Sequence, residues 1–212
     1  MDKLAIFDVD YTITRKETLM QLYKYALTKD IKNVRFLPRA IYSGIMYSLG
    51  AYDEKQVKEK FLKFIDKIDE KELSKLVKNF YNDVLEKILY KDAIYMIKKL
   101  KNEGYKVYLI SASPEFYLNE FYAIKEVDMI IGTKFSIKEG KFIRKMDGAN
   151  CKGEEKVRRL KEVLKKQGLS IDFKNSYMFS DSLSDKPLLD LVGNPYLINF
   201  KKKTNYKILQ WR

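Results

Sequence analysis

Histidine is absent from all 212 residues. Its absence removes Ser-His-Asp and Cys-His catalysis, imidazole general bases and zinc centres built on histidine. An enzyme made from this chain must work with carboxylates, lysines, hydroxyls and a metal that accepts oxygen ligands. Cysteine is nearly absent too. Cys151 alone excludes an internal disulfide and fits a reducing compartment. No uncharged apolar run approaches the roughly 18–20 residues of a membrane span. Met1-Asp2-Lys3 leads straight into a short apolar segment, without the apolar stretch and cleavage site of a signal peptide. The expectation is a soluble, cytoplasmic protein.

What is abundant is positive charge, +13 from 42 basic and 29 acidic residues, beside a 46% apolar fraction ample for a core. Such a balance invites a nucleic-acid or anionic-membrane partner. The lysines, however, are interleaved with acids, as in Glu154-Glu155-Lys156 and Asp53-Glu54-Lys55. Lysine also far outnumbers arginine, the residue favoured for specific phosphate and base contacts. Nucleic acid is therefore not expected as a partner, although a positive field helps gather phosphorylated substrates.

Leu4-Ala5-Ile6-Phe7, ending at Asp8, is predicted to be a buried strand of a parallel sheet. From about Lys16 to Ile97 the pattern is helical, with apolar residues such as Val57, Phe61 and Phe64-Ile65 at three-to-four spacing. Pro38 and Gly50-Ala51-Tyr52-Asp53 divide this block into separate helices. Strands and helices then alternate. A helix stopped by Gly104 precedes a strand over 105–110, and Ser113-Pro114-Glu115 has the chemistry of a new helix start. A strand over 129–131, a hairpin over 133–146 and a helix over 154–167 closed by Gly168 come next. A strand over 177–179, a helix over about 184–192 and a last strand over 196–198 complete the reading. This alternation implies an α/β, Rossmann-like, doubly wound parallel sheet, with its ligands at the carboxyl ends of the strands. Residues 1–14 and 91–212 are expected to form that core, and residues 15–90 an inserted α-helical cap.

Four polar clusters fall at predicted strand ends. In Asp8-Val9-Asp10-Tyr11-Thr12 two carboxylates lie close together, one able to attack phosphorus and the other to exchange a proton. Ser111-Ala112-Ser113 offers hydroxyls where a strand gives way to a helix, a place that suits an anion or an ordinary helix cap. Cys151-Lys152-Gly153-Glu154-Glu155-Lys156 opens a helix with lysines that either reach a phosphate or decorate a solvated face. Asp181-Ser182-Leu183-Ser184-Asp185 provides hard oxygen ligands for Mg²⁺, or caps a helix. The order of all four, each at a strand end, outweighs any one of them.

With these motifs the chain resembles the haloacid dehalogenase-like superfamily, in its phosphoserine phosphatase-like branch, which carries a helical insertion between the first and second motifs. The resemblance runs from the first strand to Leu191-Val192-Gly193-Asn194-Pro195. It implies a Mg²⁺-dependent phosphatase in which Asp8 forms an aspartyl-phosphate. Asp10 would protonate the leaving oxygen and then activate water. Mg²⁺ would be held by Asp8, the Asp10 carbonyl and Asp181. Thr12, Ser111 and Ala112 would meet the phosphoryl group, and Asp185, with Ser182, would support the site. Two lysines compete to balance its charge. Lys152 matches phosphatases with Lys-Gly here, whereas Lys156 matches closer relatives with Cys-x-Gly-x-x-Lys and is preferred.

Glu17 sits where phosphoserine phosphatases place a glutamate facing the substrate amine, and it also suits a helix start. The arginine that would hold a serine carboxylate has no counterpart, since Val57-Lys58-Glu59-Lys60-Phe61 offers only lysines. Ala112 replaces the usual glycine. The expected substrate is thus a small phosphorylated metabolite, phosphoserine being one candidate. The competing classes are a phosphotransferase using the same aspartyl-phosphate, and a non-enzymatic basic module binding nucleic acid or membrane. Residues 34–49, apolar with Arg35 and Arg39, are expected to pack within the cap or roof the site rather than lie on a membrane.

Overall fold

The computed structural model describes residues 1–212, apart from the side chain of Ile31. Strand β1 (Leu4–Phe7) opens the chain, followed by helices α1 (Thr18–Lys29), α2 (Leu37–Ser48), α3 (Glu54–Phe61), α4 (Glu70–Phe80) and α5 (Lys91–Asn102). Next come β2 (Lys106–Pro114), the single turn α6 (Glu115–Leu118), β3 (Val127–Thr133) and the hairpin β4 (Phe135–Lys138) and β5 (Lys141–Met146). The chain ends with α7 (Glu154–Gln167), β6 (Tyr177–Ser180), α8 (Lys186–Leu189), β7 (Asn194–Ile198) and β8 (Lys207–Leu209).

Six strands form one parallel sheet in the order β3-β2-β1-β6-β7-β8. The first strand is central, and the chain winds outward from it in both directions, as expected of a doubly wound fold. Alternate residues of β1 face opposite layers. Ala5 and Phe7 join a core shared with α5, α4 and Trp211, while Leu4 and Ile6 join one with Val157, Leu160 and Leu164 of α7. Both faces of the sheet are therefore covered, which explains why its strands read as continuous apolar runs.

Local chemistry accounts for the helix ends. Asp53 and Gln56 form a reciprocal capping box at α3, and Asp69 caps α4. In α7 the first turn carries Glu154 and Glu155 and the last Lys165 and Lys166, matching the helix dipole, and Gly168 closes it at φ 63°. Tyr23 packs on Phe61 and Phe64 at 5.3 and 5.0 Å, and Phe80 reaches Tyr117 at 6.1 Å, which joins the helices between β1 and β2 to the core.

The structure departs from expectation in four places. Strand β2 runs on through Ser113, and the short α6 behind Pro114 has no side-chain cap, so Ser113 does not start a helix. The helix expected over 184–192 shrinks to a 3-10 turn at Leu183–Asp185 and the single turn α8, after which the chain runs to Gly193, packed closely on another segment. Strand β8 lies in a lysine-rich stretch with two apolar residues, too few to mark a strand. Finally, α2 packs on α3 within the helical segment but does not roof the site, and it turns its large apolar residues outward. Its one fully buried residue is Ser43, while Ile41, Tyr42 and Ile45 are exposed. Small inward residues such as Ala40 and Ser43 let it lie close on its neighbours and leave the larger apolar side chains outside.

Gly193 donates to the carbonyl of Phe173, and a Cβ there would meet the Lys174 carbonyl oxygen at 1.9 Å. Gly193→Ala is expected to destabilise the fold by about 1–3 kcal/mol, read as a lowered denaturation midpoint in urea.

Candidate active site

Three neighbouring strands, β2, β1 and β6, end side by side and deliver Ser111, Asp8 and Asp181 to one cavity of about 400 Å³. Asp8 continues β1 and stays in register by donating its amide to the Phe179 carbonyl at 2.9 Å. The chain then turns sharply. The Val9 carbonyl accepts from the amides of Thr12, Ile13 and Thr14 at 3.2, 2.9 and 3.0 Å. Tyr11 takes φ 56° in this turn, a left-handed conformation rare for a bulky residue, and reaches the cavity mouth.

The most constrained group is Lys156, in the first turn of α7 and 2% exposed. Its Nζ donates to Asp8 Oδ1 at 2.8 Å and to Asp185 Oδ2 at 2.7 Å. Burial opposes its charge, but Asp185 and Asp8 outweigh burial and hold its pKa above the ordinary lysine value. Asp8 is pushed the other way. Burial raises it to about 8 against the pull of Lys156, and Asp185, Asp10 and Asp181 add to the rise. The two directions differ over one contact, and the charged lysine is the firmer, since it has two carboxylate partners whereas Asp8 has one ammonium and three like-charged neighbours. Asp185 also accepts from Ser180 Oγ at 2.9 Å, while its Oδ1 is buried with no hydrogen-bond partner. Asp181, at the cavity wall, is raised to about 6 by burial and by Asp185 and Asp10.

Asp10 is held by both oxygens: the Thr18 amide donates to Oδ1 and Ser113 Oγ to Oδ2, each at 2.6 Å. Ser111 Oγ accepts from the Ser113 amide at 3.0 Å, leaving the hydroxyl proton of Ser111 free to donate. Thr12 makes only a long 3.5 Å contact with Asp8 Oδ2 and sits beneath the cavity rather than in its wall. Glu17 lines the cavity and caps α1, accepting from the Leu19 and Met20 amides at 3.2 and 2.6 Å. Burial and Asp10 raise it to about 7. Ser182 accepts from the Ser184 amide at 3.1 Å and caps the turn, outside the cavity wall. Lys152 is at the rim, half-exposed and paired with Glu54, whereas Lys156 is at the floor.

A family model for haloacid dehalogenase-like hydrolases matches residues 5–190. The chain belongs to that family. A Bordetella pertussis protein of unknown function has the same fold, with a TM-score of 0.86 at 24% identity over 95% of this chain and 92% of its own. The fold is also similar to a phosphoserine phosphatase solved as a phospho-aspartyl intermediate analogue, with a TM-score of 0.64 at 20% identity over 94% of this chain and 88% of that one. In sequence the hydrolase is 24% identical to a histidinol-phosphatase of Neisseria meningitidis over 94% of this chain and 91% of the relative.

Several residues of this hydrolase make contacts at the site that the sequence does not specify. Lys58 of α3 donates to the Ala112 carbonyl and to Asn150 Oδ1, both at 2.7 Å, and burial lowers its pKa to about 8 despite Glu54, Asp10 and Glu17. Asn150 in turn donates to Glu54 at 2.6 Å. Ser113, a cap by its sequence, instead fixes Asp10. A second cleft of similar volume beside α7 is also charged, but its Arg158 and Arg159 are paired with Glu155 and Glu162. Cys151, buried with its thiol raised to about 11, stays protonated at neutral pH.

Lys156→Met leaves the two buried carboxylates without their ammonium. The variant is expected to lose about 3–5 kcal/mol of stability at neutral pH. Asp8, already raised by burial, would lose the ammonium that pulls it down. Its folded-state pKa would then lie still further above the unfolded one, which favours the folded state as it protonates. The deficit should therefore shrink as pH falls, in urea melts of wild type and variant run side by side.

Proposed function

We propose that this hydrolase is a phosphatase acting on small phosphomonoesters through an aspartyl-phosphate on Asp8, with Mg²⁺ as its cation and residues 15–90 as a cap. The observation that carries the proposal is the buried Lys156, bonded to Asp8 in a cavity otherwise rich in carboxylates. The phosphatase names of the sequence and structural relatives support the reaction class.

The residues present fit a divalent cation. Asp8, Asp10, Asp181 and Asp185 share one cavity, and an oxygen of Asp185 is orphaned there. Oxygen donors of this kind suit Mg²⁺. Among the described residues no three Asp, Glu or Cys side chains converge on one point, and the proposed set needs only two, Asp8 and Asp181, with the Asp10 carbonyl. Bound Mg²⁺ would supply the missing positive charge, keep Asp8 ionised and draw in phosphoryl oxygens.

Lys156 engages Oδ1 of Asp8 and leaves Oδ2 with only the long Thr12 contact, so Oδ2 is the freer nucleophile. Its attack forms the bond to phosphorus as the ester P–O bond breaks. Asp10, aimed by Thr18 and Ser113, gives a proton to the departing oxygen. It then takes one from the water that cleaves the aspartyl-phosphate, restoring Asp8 and releasing phosphate. Ser111 donates to the transferring group while Lys156 balances its charge. The substrate is left at its class. Glu17 uses both oxygens on helix amides, and Lys58 is the cation that the helical segment offers the cavity, a different pattern from an arginine clamp.

Phosphate release from an aryl phosphate with Mg²⁺ tests the proposal. Asp8→Asn is expected to lower kcat by about a thousandfold or more, and EDTA to stop the wild type. Lys156→Met should be equally inactive and Lys152→Met largely active. Activity that survives Asp8→Asn would end the aspartyl-phosphate reading, and loss confined to Lys152→Met would reverse the assignment of the lysines.

A further inference from the structure

Helix α2 has its apolar face turned outward. Phe36, Ala40, Ser43 and Met46 face inward, and Ser43 is the one of these that is fully buried. On the opposite side Val34, Leu37, Ile41, Ile45 and Leu49 recur at the spacing of one helical face, 43, 39, 55, 50 and 71% exposed. A helix on a water-facing surface carries the reverse pattern.

The charges beside this stripe are of one sign. Residues 31–52 contain Lys32, Arg35 and Arg39 and not one Asp or Glu. All three are exposed, Lys32 and Arg35 in the turn leading into α2 and Arg39 on its first turn. The acids that bracket the segment are engaged as helix caps, Asp30 accepting from the Lys32 amide and Asp53 from the Gln56 amide. We infer that α2 docks the protein on an anionic lipid surface, its stripe entering the interface and its three cations meeting the headgroups. A second copy is a poorer occupant, because a two-fold pairing through α2 would bring like charges together on a chain already at +13. An anionic bilayer satisfies both features at once. No described helix is long and apolar enough to cross a membrane, so the contact is peripheral. Because α2 packs on α3, whose Glu54 and Lys58 line the cavity, the docking face and the cavity share one helical hairpin. The docking does not depend on the phosphatase reading.

Sedimentation with sucrose-loaded vesicles tests the inference. The wild type is expected to pellet with vesicles of phosphatidylcholine and phosphatidylglycerol, and to stay in solution with phosphatidylcholine alone. Ile41→Glu with Ile45→Glu, at exposed positions, should weaken vesicle binding by about tenfold or more. Its circular dichroism and aryl phosphate hydrolysis should stay at the wild-type level. A wild type that ignores anionic vesicles, or pellets equally with neutral ones, overturns the inference, as does a double variant that pellets unchanged. A stable dimer by light scattering that the variant dissociates, without vesicle binding, overturns it in favour of self-association. Protein that pellets yet hydrolyses nothing would keep the docking and remove the phosphatase reading.

Discussion

The positive charge of Lys156 sits where water does not reach, between Asp8 and Asp185. Removing an ion from water is costly unless it is paired and hydrogen-bonded, and a lysine in the first turn of a helix also opposes the helix dipole. The surrounding structure is arranged to meet that cost. Val157, Leu160 and Leu164 press α7 onto the sheet and fix where the ammonium can be. Strand β1 brings one carboxylate to it, and the turn after β6 brings the other. Ser180 takes up a further interaction of Asp185. If any of these supports moved, the lysine would be a buried charge without partners.

Much of this arrangement was legible before the structure. Asp8, Asp10, Asp181 and Asp185 follow strands whose apolar runs mark them as buried, and a parallel sheet gathers its strand ends on one side. The helix over 154–167 was marked at both ends by charge and glycine. What could not be read were contacts set by tertiary packing. Ser113 has the composition of a helix cap and became a ligand of Asp10 because β2 continued past it. Lys58 stands in a stretch notable in sequence only for its lack of arginine, and it meets Asn150 only when α3 closes on the core. Strand β8 needed the finished sheet edge as its template, since its two apolar residues, Ile208 and Leu209, are too short a run to mark a strand.

The apolar periodicity of residues 34–49 marks a helix that does pack on its neighbour α3, yet its apolar stripe lies on the outer side. Periodicity reports that one face is apolar; it does not say what covers that face. Here Ala40 and Ser43 face the protein with Met46, while Leu37, Ile41 and Ile45 face away. A helix whose large residues point outward keeps a cohesive surface that the folded chain itself does not cover.

The wall of the cavity is fastened unevenly. At one end of α3, Glu54 holds Lys152 across the rim, with side chains 31 and 42% exposed. At the other end Glu59, 7% exposed, accepts from the Met146 amide, and Asp66 just beyond the helix holds Arg144. Dissolved ions screen exposed pairs and scarcely touch buried ones. Rising ionic strength therefore weakens the Glu54–Lys152 pair and leaves the Glu59 contacts almost unchanged. Lys58, bonded to the Ala112 carbonyl and to Asn150, keeps the middle of α3 tied to the core whatever the salt concentration.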